Sequence, residues 1–258
     1  MTDPHIDLKI DTRGSGVRIA YVTVSNERKL NTLNSALMNE FLRVADSLSG
    51  DEELRAVVIS GAGTKAFIGG ADISEMAALN PSTGREFITR LHRCCEALRN
   101  LPVPVIARIN GYALGAGLEI AAACDLRIAS DTAKFGMPEV RVGIPSVIEA
   151  ALLPPLIGWG RARQLLLLGE TITAADAIAW GLVEKVVMAL SLDGAVERWI
   201  SSILDAGPNA IRLQKKLIRS WEDLPMSEAI AAGIDSFETA WKTDEPRRMM
   251  QAFLARRS

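Results

Sequence analysis

The sequence predicts an α/β core followed by an all-helical C-terminal region. Three short runs rich in β-branched residues alternate with two longer segments whose apolar residues recur every three or four positions. These are the patterns of strands and amphipathic helices, and their alternation is typical of a parallel α/β core. After Leu192 only amphipathic segments follow. We therefore predict a core over residues 1–192 and a helical region over residues 193–258.

The predicted core strands are VRIAYVTVS (17–25), LRAVVIS (54–60) and VPVIARI (103–109), each bounded by Gly, Asn or Pro. One helix is predicted between the first two strands, and a second should run from Pro81 to Arg99. In the C-terminal region the prolines mark the first turns of successive helices. They are Pro208, Pro225 and Pro246.

Composition narrows the class of protein. The 258 residues are 48% hydrophobic and 23% charged, with a net charge of -2, so no field for a nucleic-acid backbone is expected. Glu119 and Glu149 interrupt the longest apolar stretches, which predicts no membrane segment. The N-terminus lacks a secretory pattern, and three cysteines without metal-ligand spacing predict neither disulfides nor a metal site. We expect a cytoplasmic protein.

The segment GAGTKAFIGGADISEM, residues 61–76, directly follows a predicted strand. Its glycines permit close approach of a ligand to the backbone, and Asp72 can cap a short helix that begins at Ile73. Backbone N–H groups at such a helix start can bind an anion or an oxyanion. The alternative is a glycine-rich loop that only connects a strand to a helix.

The segment NGYALGAGLEIAAACDLRIAS, residues 110–130, repeats this order of strand, glycine turn and helix. Between Tyr112 and Cys124, Glu119 is the one residue that is neither small nor apolar. Burial raises the pKa of a carboxyl group towards neutrality, which suits it to transfer protons. The alternative role is an ion pair or a hydrogen bond to the backbone. The glycine spacing does not fit a dinucleotide-binding turn.

A third segment, KFGMPEVRVGIP at residues 134–145, forms a loop that carries Glu139. Glu139 is either a second proton-transfer group or a helix-cap or solvated acid. Two acids and two backbone N–H sites suffice to polarise an acyl carbonyl and move protons at its neighbouring carbons. The histidines, His5 and His92, lie in no Ser-His motif.

Four blocks, taken together and in order, resemble the crotonase superfamily and, within it, enoyl-CoA hydratases. The blocks are AFIGGADISEM, INGYALGAGLEIAAACDLRIAS, AKFGMPEVRVGIP and GETITAADAIAWGLVEKVV. The resemblance implies a spiral of ββα units forming the core, and a helical C-terminal region that assembles trimers or hexamers. It implies addition of water across the 2,3 double bond of a trans-2-enoyl-CoA.

The resemblance also implies roles for individual residues. Ala71 and Ala116 would each donate a backbone N–H to the thioester oxygen, although the family usually has glycine at position 116. Glu119 would orient and help deprotonate the attacking water, and Glu139 would protonate C2. Relatives that isomerise, hydrolyse or cleave acyl-CoA commonly lack one of the two acids, and some that keep the fold bind acyl-CoA or RNA without catalysis.

Coenzyme A is then part of the substrate, and no separate cofactor is expected. The resemblance implies that Arg28 or Lys29 reaches a phosphate and that the backbone of Gly69, Gly70, Ala71, Asp72 and Ile73 meets the adenine. Arg256 and Arg257 would lie near the nucleotide, across a subunit contact. The alternative for these cations is a solvated surface role.

One stretch departs from the family. After Pro145 the usual glycines and TQRL are replaced by SVIEAALLP, and the preceding loop is one residue shorter. Ser146 would take the place that holds the water. Glu149 is either a third acid facing the pocket or a first-turn residue favoured by the helix dipole. This departure leaves the acyl-chain specificity open.

Overall fold

Two β-sheets form the frame of the protein in a computed structural model that describes residues 3–255, except the Ser15 side chain. The strands are β1 (His5–Thr12), β2 (Arg18–Ser25), β3 (Leu54–Gly61), β4 (Ala66–Ile68), β5 (Val105–Ile109), β6 (Tyr112–Leu114), β7 (Leu126–Ser130), β8 (Lys134–Gly136), β9 (Thr171–Thr173) and β10 (Lys185–Val187). The predicted strands are thus β2, β3 and β5, within two residues at each end.

The larger sheet has the order β1-β2-β3-β5-β7-β10, and the smaller has the order β4-β6-β8-β9. All neighbouring strands of the larger sheet run parallel except β1 and β2. In the smaller sheet β4, β6 and β8 are parallel, whereas β9 runs antiparallel to β8. The predicted parallel core is confirmed.

The helices are α1 (Ser35–Ser49), α2 (Ile73–Met76), α3 (Pro81–Asn100), α4 (Ala116–Ala123), α5 (Leu153–Leu168), α6 (Ala174–Trp180), α7 (Leu192–Asp205), α8 (Pro208–Trp221), α9 (Met226–Ala240) and α10 (Glu245–Ala255). Short 3-10 helices cover Gly14–Gly16, Glu27–Lys29, Glu139–Val142, Ile148–Leu152 and Ala189–Ser191. Side-chain caps define several starts: Asn34 accepts from Leu37 N–H, and Asn80 closes a capping box ahead of Pro81.

The chain repeats one unit around this frame. A strand of the larger sheet is followed by a strand of the smaller sheet and then by a helix, as in β3-β4-α2 and β5-β6-α4. The pair β7 and β8 is followed by the 3-10 helices and α5. This is the ββα order that the family resemblance implies. Because β4, β6 and β8 are parallel neighbours, the three loops that follow them meet at one edge of the smaller sheet.

Two apolar layers enclose the larger sheet. One face packs into the main core with α1, α3 and α4, and the other face is covered by α7. Helix α8 packs against α9. The helical character predicted after Leu192 is confirmed, and the division of the chain at residue 192 stays a prediction. None of the helices in the described part of the chain combines the length and apolarity needed to cross a membrane. The cytoplasmic location also stays a prediction.

Candidate active site

A cavity of about 510 Å³ opens where the loops after β4, β6 and β8 meet. Its walls are mostly apolar, and helix α3 contributes one side. Among the described residues that line it, Glu119 and Glu139 are the only charged ones. The cavity thus brings together the two acids that the sequence singles out, along with Ala71 and Ala116.

The backbone places an N–H donor at Ala71. Leu33 N–H donates to the carbonyl oxygen of Gly70 at 2.9 Å, and Asp72 N–H donates to the carbonyl oxygen of Leu33 at 2.8 Å. This parallel bridge uses the backbone groups on either side of Ala71 and points its own N–H away from Leu33. Within residues 3–255 that N–H has no backbone acceptor.

A second donor lies at Ala116, the first residue of α4. The N–H groups of a helix start have no intrahelical acceptor, and that of Ala116 has none elsewhere in the described chain. Gly115 precedes it with φ 52° and ψ -120°, a conformation that favours glycine. Gly117 follows, and a Cβ there would overlap the carbonyl oxygen of Ile68 in β4. These glycines let the start of α4 lie directly against the strand.

Glu119 lies in the first turn of α4 and is 4% exposed. Burial, followed by the negative charge of Glu139, raises the pKa of Glu119 to about 8. A hydrogen bond of 3.2 Å from the Ala150 N–H to Oε1 opposes the shift, and the charge of Glu149 adds to it. Of the alternatives for Glu119, the structure therefore shows the backbone hydrogen bond. It also shows that Glu119 is a cavity-lining carboxyl group whose pKa is strongly raised.

Glu139 begins the 3-10 helix Glu139–Val142 and is half-buried. Its Oε2 accepts a hydrogen bond of 2.8 Å from Ser146 Oγ. Its Oε1 lies against the backbone of Gly115, where a Cβ would overlap it. Glu139 is therefore held between the turn that precedes Ala116 and the segment that departs from the family pattern.

Some of the residues predicted to meet coenzyme A line this cavity, whereas Arg28, Lys29 and Asp72 are not among its lining residues. Lys29 Nζ forms an ion pair of 2.7 Å with Asp72 Oδ2, and Asp72 caps α2 as predicted, by accepting from Ser74 N–H. The hydrogen bond from Lys29, more than any other contact, lowers the pKa of Asp72. Gly69, Gly70 and the exposed Ile73 line the cavity. Arg28 is exposed, and Arg256 and Arg257 lie outside the described residues.

Comparison with known proteins identifies the family of the chain. The sequence model of a family described as enoyl-CoA hydratase/isomerase matches residues 14–258. The chain belongs to this family.

Individual members of the family are similar over almost their whole length. The short-chain-enoyl-CoA hydratase of Clostridium acetobutylicum is 38% identical, over 93% of this chain and 92% of the relative. The crotonyl-CoA hydratase of Syntrophomonas wolfei is 34% identical, over 93% of each protein. The crystal structure of an enoyl-CoA hydratase from Bacillus anthracis superimposes with a TM-score of 0.91 at 32% identity, covering 96% of each chain. The predicted family and fold class are confirmed.

Glu149 and His92 form a contact that the sequence did not predict. Glu149 does not line the cavity: it is 7% exposed, and its Oε1 lies 2.8 Å from His92 Nδ1. Neither reading of Glu149, as an acid facing the pocket or as a residue favoured by the helix dipole, includes this partner. His92 is on α3, 57 residues away in sequence, and no local pattern signals such a contact.

Proposed function

We propose that this protein is an enoyl-CoA hydratase that converts a trans-2-enoyl-CoA and water reversibly into a 3-hydroxyacyl-CoA. The observation that carries the proposal is the pair of carboxyl groups, Glu119 and Glu139, in one apolar cavity with two backbone N–H donors. Relatives named short-chain-enoyl-CoA hydratase and crotonyl-CoA hydratase support it. The same names lead us to propose a short acyl chain.

The two N–H groups stabilise the charge that forms during the reaction. The thioester oxygen accepts hydrogen bonds from the N–H groups of Ala71 and Ala116. When water attacks C3, the electrons of the double bond move towards this oxygen and give it enolate character. Donors that are already fixed in an apolar cavity stabilise such charge more strongly than bulk water does.

The two carboxyl groups move the protons. Glu119 accepts a proton from the water whose oxygen bonds to C3, and Glu139 gives a proton to C2. One turnover therefore leaves Glu119 protonated and Glu139 ionised. Burial favours the proton on Glu119, so the form that hydration leaves behind is stabilised at this group. It is the form required for the reverse reaction, and hydration resumes once the proton has returned to Glu139.

The activity should fall on the alkaline side of the pH profile. The pair works with one proton, and the raised pKa of Glu119, about 8, marks where that last proton is lost. Above this pH no acid remains for C2, so we expect kcat/KM to decline about tenfold per pH unit. Initial rates of crotonyl-CoA hydration from pH 6 to 10 measure this. A flat profile up to pH 10 would contradict the shared proton.

A spectrophotometric assay with crotonyl-CoA separates the candidate functions. Hydration removes the enoyl absorbance and leaves the thioester intact, whereas a hydrolase releases free CoA. An isomerase would move a double bond in a 3-enoyl-CoA, and a lyase would break a carbon–carbon bond of its own substrate. A protein that binds CoA but leaves all these substrates unchanged would be the non-catalytic acyl-CoA-binding relative. A panel of enoyl-CoA substrates of increasing length then tests the proposed short chain.

We also propose that the chain assembles into homotrimers or hexamers. Helix α9 carries large apolar side chains that are more than half exposed, at Met226, Ile230, Ile234 and Phe237. Contiguous exposed apolar side chains of this kind mark association surfaces. Sedimentation velocity should show a species of three or six chains, and a monomer at micromolar concentration would refute this assembly.

A further inference from the structure

Residues 146–150, the sequence SVIEA, connect the two carboxyl groups of the cavity. At one end Ser146 Oγ donates to Glu139 at 2.8 Å, and at the other end Ala150 N–H donates to Glu119 at 3.2 Å. Between them Val147 lines the cavity wall. The orientation of both acids therefore depends on the shape of one five-residue segment.

This segment has an unfavourable backbone conformation. Ile148 has φ 43°, in the left-handed region that β-branched residues rarely adopt. Such a conformation persists only where surrounding contacts hold it, and it is commonly found next to functional sites. The 3-10 helix Ile148–Leu152 packs on α4, on α3 and on α5, which follows it directly, so the holding contacts come from these three helices.

Glu149 makes the polar contact that ties the segment to α3. Its Oε1 is 2.8 Å from Nδ1 of His92, whose ring is about half exposed. A carboxylate only accepts hydrogen bonds, so Nδ1 carries the hydrogen and donates it. The other oxygen, Oε2, is buried and has no hydrogen-bond partner within the described chain. A buried oxygen without a hydrogen bond is unfavourable for folding, and the contact of Oε1 with His92 offsets part of that cost.

The titratable groups that face Glu149 are few. His92 and Cys95 approach it from α3, and Glu119 interacts with it from α4. The Cys95 thiol is buried, and burial more than the nearby carboxylates raises its pKa well above the usual range. Glu139 is linked to the same group through Glu119. His92 is thus the one group among these that can carry a positive charge.

We propose that His92 and Glu149 form a clamp that holds residues 146–150 in their strained shape and thereby keeps Ala150 N–H on Glu119 and Ser146 on Glu139. Both are positioning residues for the hydration reaction, so the inference rests on the proposed function. Where the family usually has glycines after Pro145, this chain has a segment whose geometry is fixed by a contact with His92 on the surface of α3.

The substitution His92→Ala tests the clamp, because it removes the donor from a half-exposed site without opening the core. We expect kcat for crotonyl-CoA to fall roughly 10- to 100-fold, the range for a small displacement of catalytic groups, with KM changing less than about twofold. The alkaline limb of kcat/KM should move to higher pH, because losing the Ala150 hydrogen bond further raises the pKa of Glu119. Hydrogen–deuterium exchange of the peptide covering residues 146–152 should become faster.

Two matched variants distinguish the clamp from a general effect on α3. His92→Asn keeps an N–H donor near the position of Nδ1 and should restore kcat, the pH profile and slow exchange. Arg93→Ala, at the neighbouring exposed position of α3, should leave all three unchanged. Wild-type kcat and exchange in His92→Ala would overturn the proposal, and so would a loss that His92→Asn fails to restore.

A substitution of Glu149, the other member of the clamp, distinguishes the effect of its hydrogen bond from the effect of its negative charge. Glu149→Gln keeps an oxygen that accepts from His92, so kcat should stay within about threefold of wild type. Removing the negative charge should lower the pKa of Glu119 and move the alkaline limb to lower pH, opposite to His92→Ala. The proposal would be overturned if the alkaline limbs of the kcat/KM profiles moved in the same direction in Glu149→Gln and His92→Ala. If wild type does not hydrate crotonyl-CoA, the proposed function fails, whereas the exchange measurements still decide whether His92 holds the segment.

Discussion

Glu119→Gln and Glu139→Gln should each reduce crotonyl-CoA hydration by at least about 100-fold, the loss expected when a positioned acid–base group is removed. Glutamine keeps the size of the side chain and can still accept from Ala150 N–H or Ser146 Oγ, so the cavity should retain its shape. Only proton transfer is lost. Initial rates at matched enzyme concentration measure the effect. A rate close to that of wild type in either variant would show that the substituted glutamate is not a proton-transfer group.

The control for this experiment is Glu170→Gln, an exposed acid outside the cavity, which should keep wild-type rates. Both active-site variants should also retain affinity for a saturated acyl-CoA, measured by calorimetry. Loss of binding together with activity would indicate a disturbed fold rather than a missing proton-transfer group.

Glu119→Gln should also make the fold more stable at alkaline pH. The folded pKa of Glu119, about 8, lies above the usual value of 4.5, so the folded state favours the protonated form. The contribution of the protonated Glu119 carboxyl group to the stability of the folded state is fully present below about pH 4.5, and it is lost as pH rises through 8. The raised pKa corresponds to a loss of about 5 kcal/mol from the free energy of unfolding at alkaline pH, at about 1.4 kcal/mol per pKa unit. Denaturant unfolding at pH 5 and pH 9 should show the gain over wild type only at pH 9.

Gly117→Ala should have the second large effect. A Cβ at this position would overlap the carbonyl oxygen of Ile68, and since the obstacle is backbone, α4 must move away from β4. The movement would displace both Ala116 N–H and Glu119, so we expect at least a 100-fold loss of hydratase activity, the loss expected for one oxyanion donor. Overpacking of this kind costs roughly 1–3 kcal/mol of stability.

Gly160→Ala is the matched control, because a Cβ at that position in α5 has no neighbour within 4 Å. It should keep activity, with stability equal to or slightly above wild type because alanine favours a helix. Wild-type activity in Gly117→Ala would show that the contact between α4 and β4 does not position the oxyanion donor.

Local pattern predicts the long elements of this fold well. The β-branched runs of β2 and β3 and the periodic apolar residues of α3 give those elements within two residues of their ends. The strands of the smaller sheet were not predicted because three residues, as in β4, are too few for a period to show. The ββα order came from the family resemblance and not from the pattern.

The residues of the candidate site likewise include some that the local sequence predicts and others that only the packing of distant segments brings together. Glu119 could be found because a single acid in an apolar stretch is a local anomaly, and Asp72 because a cap precedes its helix. The contact between His92 and Glu149 depends on how α3 packs against the segment after Pro145, which spacing in sequence does not encode. The left-handed Ile148 was equally unpredictable, because the sequence offers no glycine or asparagine there.

The most direct test of the proposed hydratase is the mass of the product formed from crotonyl-CoA in ¹⁸O-labelled water. We expect an intact thioester that has gained one water, with the label on the C3 hydroxyl group, and an initial rate of its formation at least about 100-fold lower in Glu119→Gln. Recovery of unchanged crotonyl-CoA, or of free CoA with the label in a carboxylate, would contradict the assignment of these two glutamates to hydration.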